Sequence, residues 1–255
     1  MQNTKKLTDD ERGRYLRHLN LPGVGEEGQL KLRDASVLVV GVGGLGSPAA
    51  LYLAAAGVGH LGILDMDEVD SSNLQRQVIH TETWVGLSKV ESAAKRLREL
   101  NSFIQVTSIH AEFTPETAKV VAEPYSILVD GTDNQATRYT INDYCVQAGK
   151  PYVYGSIYQF SGQVSVFDAT KGPCYRCLYP EPAPEGTQLP SRSAGVFGVL
   201  PGTIGTLEAT ETIKLILGLG IPLIGKLLLY DLRTMKFQNI GIVKDPECKV
   251  CGKND

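Results

Sequence analysis

The sequence predicts an α/β fold built on a doubly wound open sheet, parallel in its N-terminal half and continued by antiparallel strands in its C-terminal half. Three observations predict it. Over residues 36–150 short apolar runs alternate with segments of helical periodicity, the pattern of parallel strands joined by crossover helices. A glycine-rich turn, "GVGGLGSP" at 41–48, stands where the first strand meets its helix. Two later stretches, 151–169 and 226–243, have strand composition without intervening helices and suit antiparallel ribbons that extend the sheet.

The elements follow in order. Residues 8–20 alternate charged and apolar groups at helical spacing behind Thr8, a suitable N-cap. Residues 36–41 read as a buried strand, and "SPAALYLAAAGVG" as a helix closed by Gly57 and Gly59. "HLGILDMD" is a second strand, "GLSKVESAAKRLRELN" a helix rich in good helix formers, and "IQVTSIHAEF" a third strand. A short helix in "TPETAKVVAEP", an apolar strand in "YSILVDGTDN" and a helix in "QATRYTINDYCVQAGK" complete the alternation. The Pro-rich stretch "YPEPAPEGTQLPSRS" predicts a mobile loop at about 179–195, followed by an apolar helix at about 203–218. No internal repeat is visible, and 255 residues suffice for one sizeable core. Residues 1–255 therefore read as one domain: a helical arm (1–30), a Rossmann-like nucleotide-binding half (31–155) and a second half (156–255) that decorates it.

Composition narrows the function classes. A net charge of −3 argues against a nucleic-acid binder, which carries a basic face to replace phosphate counterions. The charged N-terminus lacks the apolar core of a signal peptide, and no uninterrupted apolar run reaches the roughly 20 residues of a membrane helix. A cytoplasmic protein without a membrane partner is expected.

Gly41, Gly43 and Gly46 satisfy G-x-G-x-x-G between a strand and a helix, where the backbone can approach a phosphate and the helix N-terminus offers free N–H groups. Asp65 ends the next strand, where an acid takes ribose hydroxyls in NAD and ATP alike. The following residues separate the two. Hydride transfer needs an apolar wall for nicotinamide. Phosphate transfer needs cations for the charge developing on phosphate oxygens, and Arg76 and Lys89 supply them beside Asn73. Asp133, at a strand's C-terminal end in "VDGTDN", offers a carboxylate for magnesium. The plainer alternative makes Arg76 and Lys89 solvated surface charges and Asp133 a helix cap.

Cys174-x-x-Cys177 and Cys248-x-x-Cys251 each offer two thiolates to one ion, and four sulfurs complete a tetrahedral, structural Zn²⁺ site. Two disulfides or free thiols are the alternatives, and disulfides suit a secreted protein better. Arg176 and Lys249 stand close enough in sequence to offset a four-thiolate charge. Cys145, inside a helix, reads as a core residue. The four histidines, His18, His60, His80 and His110, form no evident catalytic arrangement.

In order, "RYLRH", "VLVVGVGGLGSP", "LDMDEVDSSNLQRQ", "GLSKVES", "DGTDN", "CYRC" and "CKVC" occur along the chain, and the resemblance they carry covers nearly all of it, from about residue 8 to 252. Together they resemble the ThiF/MoeB/HesA family of adenylyltransferases for ubiquitin-like sulfur carriers. "SNLQRQ" with two CxxC pairs is far more specific than the glycine loop. The resemblance implies a homodimer with an ATP site in each subunit, a carrier with a C-terminal Gly-Gly tail, and structural zinc. It places Gly41, Gly43, Gly44 and Asn134 around the nucleotide, Gly44 on the phosphates and Asp65 on the ribose. Asn73, Arg76 and Lys89 would hold phosphates, Asp133 magnesium, and Arg17 would reach the partner's nucleotide, with Arg14 in the same motif. The implied reaction joins the tail carboxylate to the α-phosphate of ATP, giving an acyl-adenylate and pyrophosphate. Relatives carry a cysteine in a "PSCAEAG"-like stretch of the mobile loop; here "PSRSAG" has Ser191, Arg192 and Ser193 instead. That departure argues for adenylation alone, with sulfur brought by a separate protein. An NAD-dependent oxidoreductase, an adenylating enzyme for a small peptide's C-terminus and a nucleotide-binding scaffold without turnover are the rivals. Molybdopterin, thiamine and tRNA-thiolation carriers share similar tails, so the residues do not separate the pathways.

Overall fold

The computed structural model describes residues 6–183 and 195–252. Eight strands form one sheet: β1 (Ser36–Val40), β2 (His60–Leu64), β3 (Gln105–Ile109), β4 (Ile127–Asp130), β5 (Tyr152–Tyr158), β6 (Ser161–Phe167), β7 (Lys226–Asp231) and β8 (Lys236–Gly241). Their order is β3-β2-β1-β4-β5-β6-β7-β8. Pairing is parallel from β3 to β5 and antiparallel from β5 to β8, as the sequence predicts.

The α-helices among the described residues are α1 (Asp9–Arg14), α2 (Leu16–Leu19), α3 (Gly25–Asp34), α4 (Gly46–Ala56), α5 (Lys89–Leu100), α6 (Pro115–Ala122), α7 (Gln135–Ala148), α8 (Tyr175–Leu178) and α9 (Val199–Leu217). They cover both faces of the sheet, so β1 is apolar at every inner position. Val37 and Val39 pack with α3, α4, α5 and α9, while Leu38 and Val40 pack with α6, α7 and α8. A strand buried on both sides must read as a continuous apolar run. Cys145 lies in the second of these cores, where burial pushes its thiol far above the ordinary range.

Local chemistry explains most boundaries. Thr8 and Glu11 form a reciprocal capping box at α1. Gly57 closes α4 in the left-handed region at φ +88°, but Gly59 serves another purpose. A Cβ there would lie 1.7 Å from the Arg33 carbonyl oxygen, so Gly59 permits close packing rather than capping. The apolar helix begins at Val199, ahead of the expected 203. Pro201 fits its first turn, where a missing N–H costs nothing. No helix among the described residues is long and apolar enough to cross a membrane.

After β3 the chain returns to the opposite side of β1 to form β4. Open α/β sheets bind ligands at such a switch point, outside the carboxyl ends of the strands.

Candidate nucleotide site and cysteine cluster

A cavity of about 1100 Å³ opens at that switch point. Gly41, Gly43 and Gly44 line it from the β1–α4 turn, and Asp65 from the end of β2. Asn73, Arg76 and Lys89 line it from the segment leading into α5, and Asp133 and Asn134 from the end of β4. Every expected nucleotide-site residue of the chain's own Rossmann-like half thus faces one space. Arg17 does not line it. That side chain is exposed on α2, whereas Arg14 donates to the Leu100 carbonyl at 2.9 Å and lies over the Phe103 ring.

The glycine turn is set by sterics. Gly41 sits at φ +91°, and a Cβ on Gly46 would lie 1.9 Å from the Gly41 oxygen. Asp65 then latches the turn: its Oδ2 accepts from the Val42 N–H at 2.9 Å, and its Oδ1 from the Asp67 N–H at 2.9 Å. Each oxygen keeps a second lone pair for an outside donor. Lys89, the first residue of α5, is buried and donates from Nζ to Asp67 Oδ2 at 2.8 Å. Among the described residues it has no other acceptor, which leaves two of its three ammonium hydrogens for one. Arg76, half-buried, donates to the Ser72 carbonyl at 3.1 Å across from Gly44. Neither cation is merely a solvated surface charge. The cap of α7 is Asn134, whose Oδ1 accepts from the Thr137 N–H at 2.8 Å, so Asp133 is not that cap.

Three features were not legible from the sequence. Asp130, fully buried, accepts from Thr132 N–H and Oγ1, from Tyr152 Oη at 2.6 Å and from Arg138 Nε at 3.2 Å. Burial disfavours the Arg138 charge, but the Asp130 carboxylate together with the surrounding Tyr154, Tyr152 and Tyr175 outweighs it and holds the guanidinium above its ordinary pKa. Arg138 lines the cavity and sits above the Tyr154 ring, so a fixed cation lies beneath the site. Second, Gln163 Oε1 accepts from Tyr154 Oη at 3.1 Å and Tyr179 Oη at 3.0 Å, forming the polar wall of the cavity's far arm. Third, His80 is buried with Nε2 3.1 Å from the Val42 oxygen and Nδ1 3.0 Å from Ser92 Oγ. Burial lowers its pKa. The only advance signal was an acid closing an apolar strand, "ILVD", with an arginine in the first turns of the next helix.

The four cysteines converge across the fold. Their sulfurs all lie within 4.8 Å of one another, with Cys174–Cys177 at 3.9 Å, Cys174–Cys248 at 3.6 Å and Cys177–Cys251 at 3.4 Å. Zn–S bonds of about 2.3 Å in a tetrahedron place sulfurs about 3.8 Å apart, so the spacing fits zinc and is too long for disulfides. None of the four is in a disulfide. The two cations expected to balance them are engaged elsewhere. Arg176 forms a two-pronged pair with Asp143 at 2.8 and 2.7 Å, and Lys249 pairs with Glu181. A backbone N–H, from Asp245 to Cys177 Sγ at 3.4 Å, supplies local compensation instead. The cysteine-free stretch with Ser191, Arg192 and Ser193, and most of the expected 179–195 loop, lie outside the described residues.

The comparisons agree with this geometry. The ThiF family model matches residues 15–250. "Adenylyltransferase and sulfurtransferase MOCS3" of Culex quinquefasciatus is 51% identical over 250 residues, covering 98% of this chain. The chain spans only 57% of that relative's length. "Sulfur carrier protein adenylyltransferase" of Thermus thermophilus is 49% identical, covering 97% of this chain and 93% of the relative. Among solved structures, E. coli MccB with MccA-N7isoASN superposes with a TM-score of 0.85 at 25% identity, covering 96% of this chain and 76% of that one. MccB with AMPCPP and MccA gives 0.84 at 25% identity, over 99% and 76%.

Proposed function

The chain belongs to the ThiF family, and from that premise we propose that it adenylates the C-terminal glycine carboxylate of a small ubiquitin-like sulfur-carrier protein. The observation that carries the reading is the convergence of Gly43, Gly44, Asp65, Asn73, Arg76, Lys89 and Asp133 on one cavity with a polar far arm.

The mechanism follows from charge. The tail carboxylate is ionised at pH 7 and needs no general base. Two anions must meet and a pyrophosphate must leave, so catalysis reduces to positioning and neutralisation. Asp65 takes the ribose, and the turn at Gly43 and Gly44, ahead of α4, presents backbone N–H groups to the phosphates. Lys89, with two free hydrogens, and Arg76 neutralise the charge that builds on the phosphate oxygens. The carboxylate oxygen attacks the α-phosphorus, the α–β bridging bond breaks, and its electrons leave on pyrophosphate. Asp133, an exposed carboxylate in the cavity wall, is the residue to hold Mg²⁺, which would neutralise phosphate charge when bound. The tail enters along the far arm beside Tyr154, Gln163 and Tyr179.

Cys174, Cys177, Cys248 and Cys251 would hold Zn²⁺ in a structural role, since four thiolates would leave no open position, and would so pin residues 248–251 to the 174–177 turn. Arg17 completes the site of the second subunit in a homodimer, and sulfur comes from a separate donor. The carrier serves molybdopterin, thiamine or related thio-cofactor synthesis. Carrier-driven ATP–pyrophosphate exchange tests the site: Arg76→Ala, Lys89→Ala and Asp133→Ala should each abolish it. Exchange retained in all three would refute the assignment.

A further inference from the structure

We propose that His80 is a positioning residue for the phosphate loop, holding the Val42–Gly43 peptide so that the Gly43 N–H is turned toward the nucleotide. His80 does not line the cavity, so it acts through the backbone it touches. Its two ring nitrogens are committed. The Val42 carbonyl, 3.1 Å from Nε2, can only accept, so Nε2 carries the hydrogen. Nδ1, 3.0 Å from Ser92 Oγ on α5, then accepts from the hydroxyl in the uncharged ring. Burial favours that uncharged form.

On the other side of the same residue, the Val42 N–H donates to Asp65 Oδ2 at 2.9 Å. Val42 is thus held at both ends, by two side chains from different elements. The restraint matters because the flanking residues, Gly41 and Gly43, have the least hindered backbones in the protein alphabet. A trans peptide points its C=O and N–H in opposite directions. With the Val42 carbonyl turned inward to His80, the Gly43 N–H is turned outward, and Gly43 lines the cavity. An N–H in that position is the donor a phosphate oxygen takes at a glycine turn. Ser47 Oγ, 3.3 Å from the same carbonyl, is a weaker second donor.

The inference rests on the nucleotide reading of the cavity, and binding of Mg·ATP without carrier tests it. Glutamine reaches as far as imidazole Nε2, while asparagine reaches only as far as Nδ1. His80→Gln should therefore bind Mg·ATP within about threefold of the unsubstituted protein, whereas His80→Asn should bind about 10- to 100-fold more weakly, the effect of one misdirected charge-assisted hydrogen bond. Thermal melting of both variants controls for a purely structural role, which would lower stability without separating their affinities. Ser92→Ala, which frees only Nδ1, should weaken binding severalfold. Equal affinity for folded His80→Gln and His80→Asn, or an unchanged affinity in Ser92→Ala, overturns the proposal. An unsubstituted protein that binds no Mg·ATP would instead refute the nucleotide reading, a separate result.

Discussion

Replacing Glu208 by glutamine should stabilise this protein by an amount that grows with pH. Glu208 lies on α9 with no exposed surface, and its carboxyl fills the space beside Gly155 in β5, where an added Cβ would come within 2.3 Å of the Glu208 Cδ. Neither carboxyl oxygen has a hydrogen-bond partner among the described residues. Burial, reinforced by the Asp130 charge and opposed by Arg138, pushes this carboxyl well above the ordinary range. The folded protein therefore keeps a proton that the unfolded chain releases above about pH 4.3. Because the folded state binds the extra proton, stability falls as pH rises, by about 1.4 kcal/mol per pH unit until the folded carboxyl ionises. Glutamine keeps the volume and removes the slope. For each pH unit above about 5, until the folded carboxyl ionises, the variant should gain about 1.4 kcal/mol on the parent, equivalent to about 3–6 °C in Tm for a chain of this size. Denaturant unfolding of both proteins at pH 5, 6 and 7 measures it, since the difference cancels the other titrating groups. A difference in stability that does not change with pH refutes the reasoning.

Further outcomes follow from the same structure. Asp130→Ala should cost about 3–5 kcal/mol in denaturant unfolding, because it leaves the Arg138 charge buried without its partner. His60 and His80 are both lowered by burial, so each contributes stability that is present above about pH 6.5 and lost as pH falls; His80→Gln should flatten that acid limb. Purified protein should contain zinc, and Cys248→Ser should lower both its zinc content by metal analysis and its Tm. If Arg17 acts across a dimer, mixing inactive Arg17→Ala and Lys89→Ala chains under exchange conditions should restore activity, because one site per mixed dimer is intact.

The fold was legible where one principle governs a segment. The apolar runs of β1, β2 and β4 are buried on both faces, and nothing but a doubly covered parallel sheet demands that. That Asp65, Asn73, Arg76, Lys89 and Asp133 would line one cavity was legible because phosphate chemistry selects residue types at strand ends. What escaped was pairing between distant positions. Arg176 and Lys249 look like counterions for the cysteines in sequence, but Asp143 and Glu181 are brought to them by the fold. Arg138 lies in an unremarkable helix until Asp130 is placed beneath it. His80 has no sequence signature because its partners are a backbone carbonyl and a serine on another element.

The most direct test of the central claim is ATP–pyrophosphate exchange by the unsubstituted protein against a panel of Gly-Gly-tailed carriers and one carrier lacking its terminal glycine. Exchange that depends on one intact tail, with no turnover of NAD, is the result expected. No exchange with any tail, or nicotinamide-dependent oxidation or reduction instead, would contradict it.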